Sequence, residues 1–184
     1  MSVGLLGFGA VASLFAERPL GFGCWVLAFD PQAEAMDRAR RMGGVSVSDA
    51  AGLLGAIDVV SLHATIDESS RGIINRETLS AVRPGFGLVN IARGRLMVDA
   101  DVLETLDTGR VAGLAIDTLA PEPPFNAAPG THDFSHPLLI HPKVVVFPNM
   151  AASMSDAQER IGLALAEKIP AVLGGRGVAM EGQP

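Results

Sequence analysis

The 184-residue sequence has no tyrosine, a single tryptophan (Trp25) and a single cysteine (Cys24). One cysteine excludes an intrachain disulfide and suits a reducing compartment. Charged residues make up only 18% of the chain, and the net charge is -6 with no basic block. That excludes the electrostatic footprint of a nucleic-acid binder or of a protein drawn to an anionic membrane. No apolar run approaches the length of a membrane span. No charged leader with a cleavage site precedes the first strand. There is no internal repeat, no low-complexity tract and no composition typical of an interdomain linker. No metal site is expected. Hydrophobic residues reach 48%, enough for one domain with a buried core. The expectation is a soluble cytoplasmic protein of one domain, residues 1–184, with a frayed tail over 177–184.

Short apolar runs alternate with longer helical patterns, which predicts an α/β fold with a doubly wound parallel sheet of the Rossmann kind. Strands are expected near residues 3–6, 25–29, 45–47, 57–62, 87–91, 111–116 and 143–147. The first helix is expected over 11–20, with Val11, Leu14 and Phe15 at helical spacing. Further helices are expected over 33–41, after a Ser48 cap, from an Asn75 cap to residue 82, over 99–108 and over 155–173. The segment 121–142 is rich in proline and histidine and reads as an irregular surface excursion. His136 and His141, each before a proline, are expected at the surface.

The chemistry begins at Gly7-Phe8-Gly9-Ala10-Val11-Ala12, between the first strand and the first helix. Gly7 permits a tight turn, Gly9 lets backbone approach a pyrophosphate, and small Ala12 lets helix and sheet pack closely. The N–H groups at the helix start, from Ala10 and Val11 onward, then face the phosphates. Asp30 ends the second strand, where a carboxylate accepts from the adenosine ribose hydroxyls and repels a 2′-phosphate. Alternatively it only caps the turn before Pro31. The pattern points to NAD rather than NADP.

Later motifs resemble the D-isomer-specific 2-hydroxyacid dehydrogenases, from about residue 2 to about residue 174. The carriers are Leu62-His63-Ala64-Thr65, Gly72-Ile73-Ile74-Asn75, Asn90-Ile91-Ala92-Arg93-Gly94, Gly113-Leu114-Ala115-Ile116-Asp117 followed by Glu122-Pro123, His136-Pro137-Leu138-Leu139, and Pro148-Asn149-Met150-Ala151-Ala152. Residues 157–161 are most similar to the phosphoglycerate dehydrogenase and hydroxypyruvate reductase branch. The resemblance implies that Arg93 binds a 2-oxo or 2-hydroxy acid, a task suited to its planar fork. It implies that Asp117 orients the nicotinamide carboxamide and that Glu122 is the catalytic glutamate. It implies that His63, Ala64, Thr65, Ser70, Ile91, Ala92, Asn149, Ala151 and Ala152 line the cofactor. It also implies a homodimer.

Two departures stand out. The position of the family's catalytic histidine is Asn149, which donates a hydrogen bond but does not titrate near neutral pH. The separate substrate domain, which in the family precedes this one, is expected to be absent. Thr65 and Asp67 stand where the family often has proline and threonine, and an acid near a pyrophosphate is unhelpful. His63, His132, His136 and His141 are the candidates to replace the missing imidazole. The leading expectation is an NAD-dependent oxidoreductase acting on 2-hydroxy acids, impaired or repurposed. The alternatives are a non-catalytic NAD(H)-sensing or assembly module, and a non-redox enzyme that reuses the cofactor pocket.

Overall fold

The computed structural model describes residues 1–121, 135–149 and 154–173. The chain forms two compact units, residues 1–147 and residues 148–184. The first unit carries β1 (Ser2–Leu6), α1 (Ala10–Gly21), β2 (Trp25–Phe29), α2 (Ala33–Arg41), β3 (Val45–Ser46), α3 (Ala50–Ala56), β4 (Val59–Leu62), α4 (Arg76–Ser80), β5 (Phe86–Asn90), α5 (Asp99–Asp107), β6 (Val111–Ile116), α6 (Pro137–Ile140) and β7 (Val144–Val146). The second carries α7 (Ser155–Leu173), which accommodates Pro170 and exposes Ile161, Leu163, Leu165 and Ile169.

The seven strands pair in the order β3-β2-β1-β4-β5-β6-β7, and every neighbouring pair is parallel. A parallel sheet is covered on both faces, so its strands read as apolar runs. One buried cluster joins β1 and β2 to α1 and α2 through residues such as Leu5, Val26, Ala12 and Ala39. A larger one joins α3, α4, α5 and α6 to the sheet through Leu53, Leu79, Leu88, Val102 and Leu138. The order reverses between β1 and β4. Such a switch point opens a crevice at the carboxyl ends of the strands, where ligands bind in sheets of this kind.

The expected Ser48 cap and the surface placement of His136 and His141 are corrected, and the facing of α1, which its spacing left open, is fixed by the fold. In α1 the apolar stripe does not face the core: Val11 and Leu14 are more than 60% exposed, while Ala12, Ala16 and Pro19 are buried. A helix that packs closely on the sheet beside a glycine turn admits only small inward residues, so the bulky ones are turned out. Ser48 does not cap α3. Asp49 does, its Oδ1 accepting from the N–H of Gly52 at 2.7 Å, because a carboxylate favours the positive helix start. Within the supposed irregular excursion, residues 137–140 form a helical turn capped by His136. His136 is buried rather than at the surface. Its Nδ1 accepts from the N–H of Leu138, which leaves Nε2 to face the Asp99 carboxylate at 3.1 Å. His141 is also largely covered, with Nε2 3.3 Å from Asp107.

Among the described residues, no helix is long and apolar enough to cross a membrane. No group of three or more His, Cys, Asp or Glu among them is placed to hold a metal ion. The tail 177–184 lies outside the described residues.

Candidate functional site

The site begins where β1 turns into α1. Gly7 sits at φ +90, and a Cβ there would lie 2.6 Å from the Ala64 backbone nitrogen. Only glycine allows this backbone and this approach, so the turn is pressed against the end of β4. Gly9 is the N-cap of α1 and has no side-chain cap. A Cβ at Gly9 would meet nothing within 4 Å, so its outer side is open. The first N–H groups of a helix lack partners inside it, and those of Ala10 and Val11 therefore suit an anion. This open, uncapped start fits a pyrophosphate.

Asp30 holds the turn from the side. Its Oδ2 accepts from the N–H of Phe8 at 2.8 Å and its Oδ1 from the N–H of Gln32 at 2.9 Å. A carboxylate has about four acceptor positions, so acceptor capacity remains for ribose hydroxyls. The Phe8 carbonyl is held too, by Nη2 of Arg38 at 3.1 Å. Arg38 was not legible beforehand, because its partner is a backbone atom thirty residues away.

A cavity of about 430 Å³ lies beside this turn, walled by Asp30, Ala50, Ala64, Thr65, Ser70 and Ile73 among others. Ser70 is buried, and its hydroxyl is engaged locally. It donates to the Thr65 carbonyl at 2.7 Å and accepts from the N–H of Asp67 at 2.8 Å. Asp67 is held in turn: its Oδ1 accepts from the Ser69 hydroxyl and from the N–H groups of Ser69 and Ser70. The Ser69 hydroxyl, then the Ser70 bonds, hold the Asp67 carboxyl below the usual carboxylate range. The acid that looked unhelpful next to a pyrophosphate is thus tied into its own loop.

A second cavity, of about 340 Å³, is walled by Val11, His63, Thr65, Ile91, Ala92 and Arg93 among others. Arg93 follows β5, and its place is set by Asn90, which is wholly buried. Asn90 Nδ2 donates to the Arg93 carbonyl at 2.9 Å, and Oδ1 accepts from the N–H of Ala92 at 3.1 Å. The Arg93 guanidinium is exposed. Its Nη1 donates to the Ala92 carbonyl at 2.7 Å. Among the described residues it has no carboxylate partner, so its fork is available to an anion. Asp117 lies at the end of β6, its N–H donating to the Asn90 carbonyl at 3.0 Å. Its Oδ1 is buried without a hydrogen-bond partner among the described residues. An orphaned acceptor is costly, and an amide N–H donor, such as a carboxamide brings, would satisfy it.

His63 touches the ring of Phe15, with centroids 5.5 Å apart. Its Nε2 is buried without a partner among the described residues, and burial lowers its pKa to about 4. It is a neutral imidazole at physiological pH and a poor source of a proton. His136 and His141 are engaged with Asp99 and Asp107. Asn149 belongs to the second unit; it is exposed and adopts φ +52, a region asparagine tolerates. Glu122, His132, Ala151 and Ala152 lie outside the described residues.

Comparison with known proteins agrees with this geometry. Residues 1–151 match the family model for the D-isomer specific 2-hydroxyacid dehydrogenase, NAD binding domain. A D-3-phosphoglycerate dehydrogenase of Bacillus subtilis is 31% identical, over 91% of this chain and 30% of its own length. A hydroxypyruvate reductase of Thermotoga maritima is 35% identical, over 94% of this chain and 53% of its own. The NAD-complexed structure of a D-isomer specific 2-hydroxyacid dehydrogenase from Lactobacillus delbrueckii ssp. bulgaricus superposes with a TM-score of 0.81 at 26% identity, covering 100% of this chain and 54% of that one. The chain therefore spans about half, or less, of the length of these relatives.

Proposed function

The chain belongs to the D-isomer-specific 2-hydroxyacid dehydrogenase family through its NAD-binding domain, and on that premise we propose that it serves redox chemistry between NAD(H) and a 2-oxo or 2-hydroxy acid. One observation carries the reading. The open start of α1 at Gly9, the cavity beside Asp30 and the Arg93 guanidinium, which has no carboxylate partner among the described residues, all lie at the carboxyl ends of strands of the one sheet. NAD, when bound, supplies or accepts a hydride at its nicotinamide ring.

The chain's own residues divide the remaining work. Gly7, Gly9, Ala10 and Val11 hold the pyrophosphate, and Asp30 takes the ribose. His63, Ala64, Thr65, Ser70, Ile91 and Ala92 wall the pocket, and Asp117 accepts from the carboxamide. Arg93 clasps the acid's carboxylate and polarises its carbonyl. The proton is the weak point. Asn149 can hydrogen-bond the substrate oxygen, but it holds no exchangeable charge near neutral pH. Without a positioned general acid, rates fall by about a hundred- to ten-thousandfold. Glu122 is the carboxyl group proposed to act beside it, and Ala151 and Ala152 are proposed to close the cofactor side. We read residues 1–184 as one domain, working as a homodimer in the cytoplasm. The exposed apolar side chains of α7 support the first of these contexts and the single cysteine the second.

The test has two stages. Calorimetric titration with NADH and NADPH comes first; saturable NADH binding with much weaker NADPH binding is expected. Wild type and Asn149→His are then assayed for NADH oxidation with a panel of 2-oxo acids. The histidine variant should be faster by about a hundredfold or more. Failure of both nucleotides to bind would overturn the reading. NADH binding with no turnover by either protein would instead favour a sensing module.

A further inference from the structure

A third cavity, of about 400 Å³, also adjoins Arg93 and is walled by Ile66, Arg95, Leu119 and Pro121 among others. It is built around Gly94, which is buried and packed on the backbone of Leu119 and Ala120. A Cβ at Gly94 would come within 2.3 Å of the Leu119 carbonyl carbon. The arginines on either side of Gly94 are both exposed, yet their backbones are fixed. The Arg93 carbonyl accepts from Asn90 Nδ2 and from the N–H of Leu96. The Arg95 carbonyl accepts from the N–H of Gly72 at 2.9 Å. Among the described residues the Arg95 guanidinium has no carboxylate partner and no hydrogen-bond acceptor. Two cations without counter-charges among the described residues therefore line one cavity, in a chain whose net charge is -6.

We propose that Arg95 is a specificity-determining residue that reads a second anionic group on the 2-oxo acid held by Arg93, so that this site prefers substrates with two negatively charged groups. The proposal rests on the reading of Arg93 as the carboxylate clasp. The spacing suits it. Cα atoms two residues apart lie at most about 7 Å from each other, so two long arginines reach both ends of a short diacid. Ile66 and Leu119 supply an apolar wall for the carbons between. The second group is either a carboxylate or a phosphate-like group, since a guanidinium fork matches both.

The test uses the whole chain with NAD⁺ present, so that a 2-oxo acid binds without being reduced. Calorimetry compares pyruvate, oxaloacetate and phosphonopyruvate. At least one dianion should bind about tenfold more tightly than pyruvate, as one added charge-assisted hydrogen bond gives. The stronger of the two identifies the second group as carboxylate or phosphate-like. Arg95→Gln should bring the dianion-to-pyruvate ratio close to one, and Arg95→Lys should keep part of it. Arg41→Gln, an exposed change on α2, should leave the ratio alone. Equal affinities for all three probes in wild type would overturn the proposal, as would a ratio unmoved by Arg95→Gln. The underlying reading fails differently: pyruvate then binds no less well to Arg93→Gln than to wild type. Absence of binding by every probe overturns both.

Discussion

The side-chain amide of Asn90 grips the loop of Arg93 at two points, donating to the Arg93 carbonyl at 2.9 Å and accepting from the Ala92 N–H at 3.1 Å. Asn90 is completely buried at the end of β5. The direction of the exposed arginine is therefore imposed from inside the core.

Asn90→Ala removes both bonds and strands the buried groups they satisfied. The variant should lose about 1–3 kcal/mol of unfolding free energy, read from urea denaturation followed by far-UV circular dichroism. Its affinity for pyruvate in the presence of NAD⁺ should fall as well. A variant as stable as wild type would show that the loop does not depend on this amide.

Two glycines of the phosphate turn should separate folding from binding. Gly7→Ala places a Cβ against the Ala64 backbone at φ +90. Left-handed strain of about 1–2 kcal/mol then adds to an overpacking cost of about 1–3 kcal/mol. Gly9→Ala points into open space, and its stability should stay within about 1 kcal/mol of wild type. Its NADH affinity should nevertheless drop by about tenfold or more, because the methyl group occupies the approach of the pyrophosphate. Thermal unfolding and calorimetry on the same samples decide the matter.

Asp30→Asn keeps one acceptor oxygen for the turn and removes the charge. The ratio of NADH to NADPH affinity should fall by about tenfold, since repulsion of a 2′-phosphate is relieved. Asp30→Ala leaves both the Phe8 and Gln32 N–H groups without their acceptor and should weaken both nucleotides. If Asp30→Asn retains the full NADH preference, selectivity resides elsewhere.

His63 makes stability depend on pH. Its pKa falls from 6.5 to about 4 on folding because burial disfavours the charged ring. The unfolded chain then binds more protons between those values, so stability is intact above about pH 6.5 and is lost as the pH falls toward 4. Between pH 7 and pH 5 the loss should be about 2 kcal/mol. His63→Gln should abolish that part of the slope. Taking the difference between variant and wild type removes the contribution of Asp99, whose pKa is raised by burial. Equal slopes in the two proteins would show that His63 is not buried as described.

The sheet was legible because strand identity lies in local apolar runs, and the span of α7 and the Asn75 cap followed from similarly local signals. Facing was harder to read. In α1 the spacing of Val11, Leu14 and Phe15 has the right period, but the sheet requires the small side chains of Ala12 and Ala16. Periodicity cannot say which of two stripes a close approach will select. His136 was misplaced because its partner, Asp99, lies 37 residues earlier in the chain. Within the site, Gly7 and Asp30 were legible through their motif. Asn90 and Gly94 were not assigned roles, because theirs depend on backbone atoms that only the folded chain brings near.

The switch point between β1 and β4 also has a bearing on synthesis. Ser2 bonds Asp58 across 56 residues of sequence, and the wall against which the Gly7 turn is pressed arrives with His63 and Ala64. A chain growing at about 5–20 residues per second must wait several seconds between making the turn and making the wall that shapes it. During that interval the first strand has only β2 beside it and an open edge, the condition in which strands pair wrongly. The cradle for the cofactor is thus coded first and completed late, so ribosome pausing before β4 should decide how much newly made protein reaches the native state.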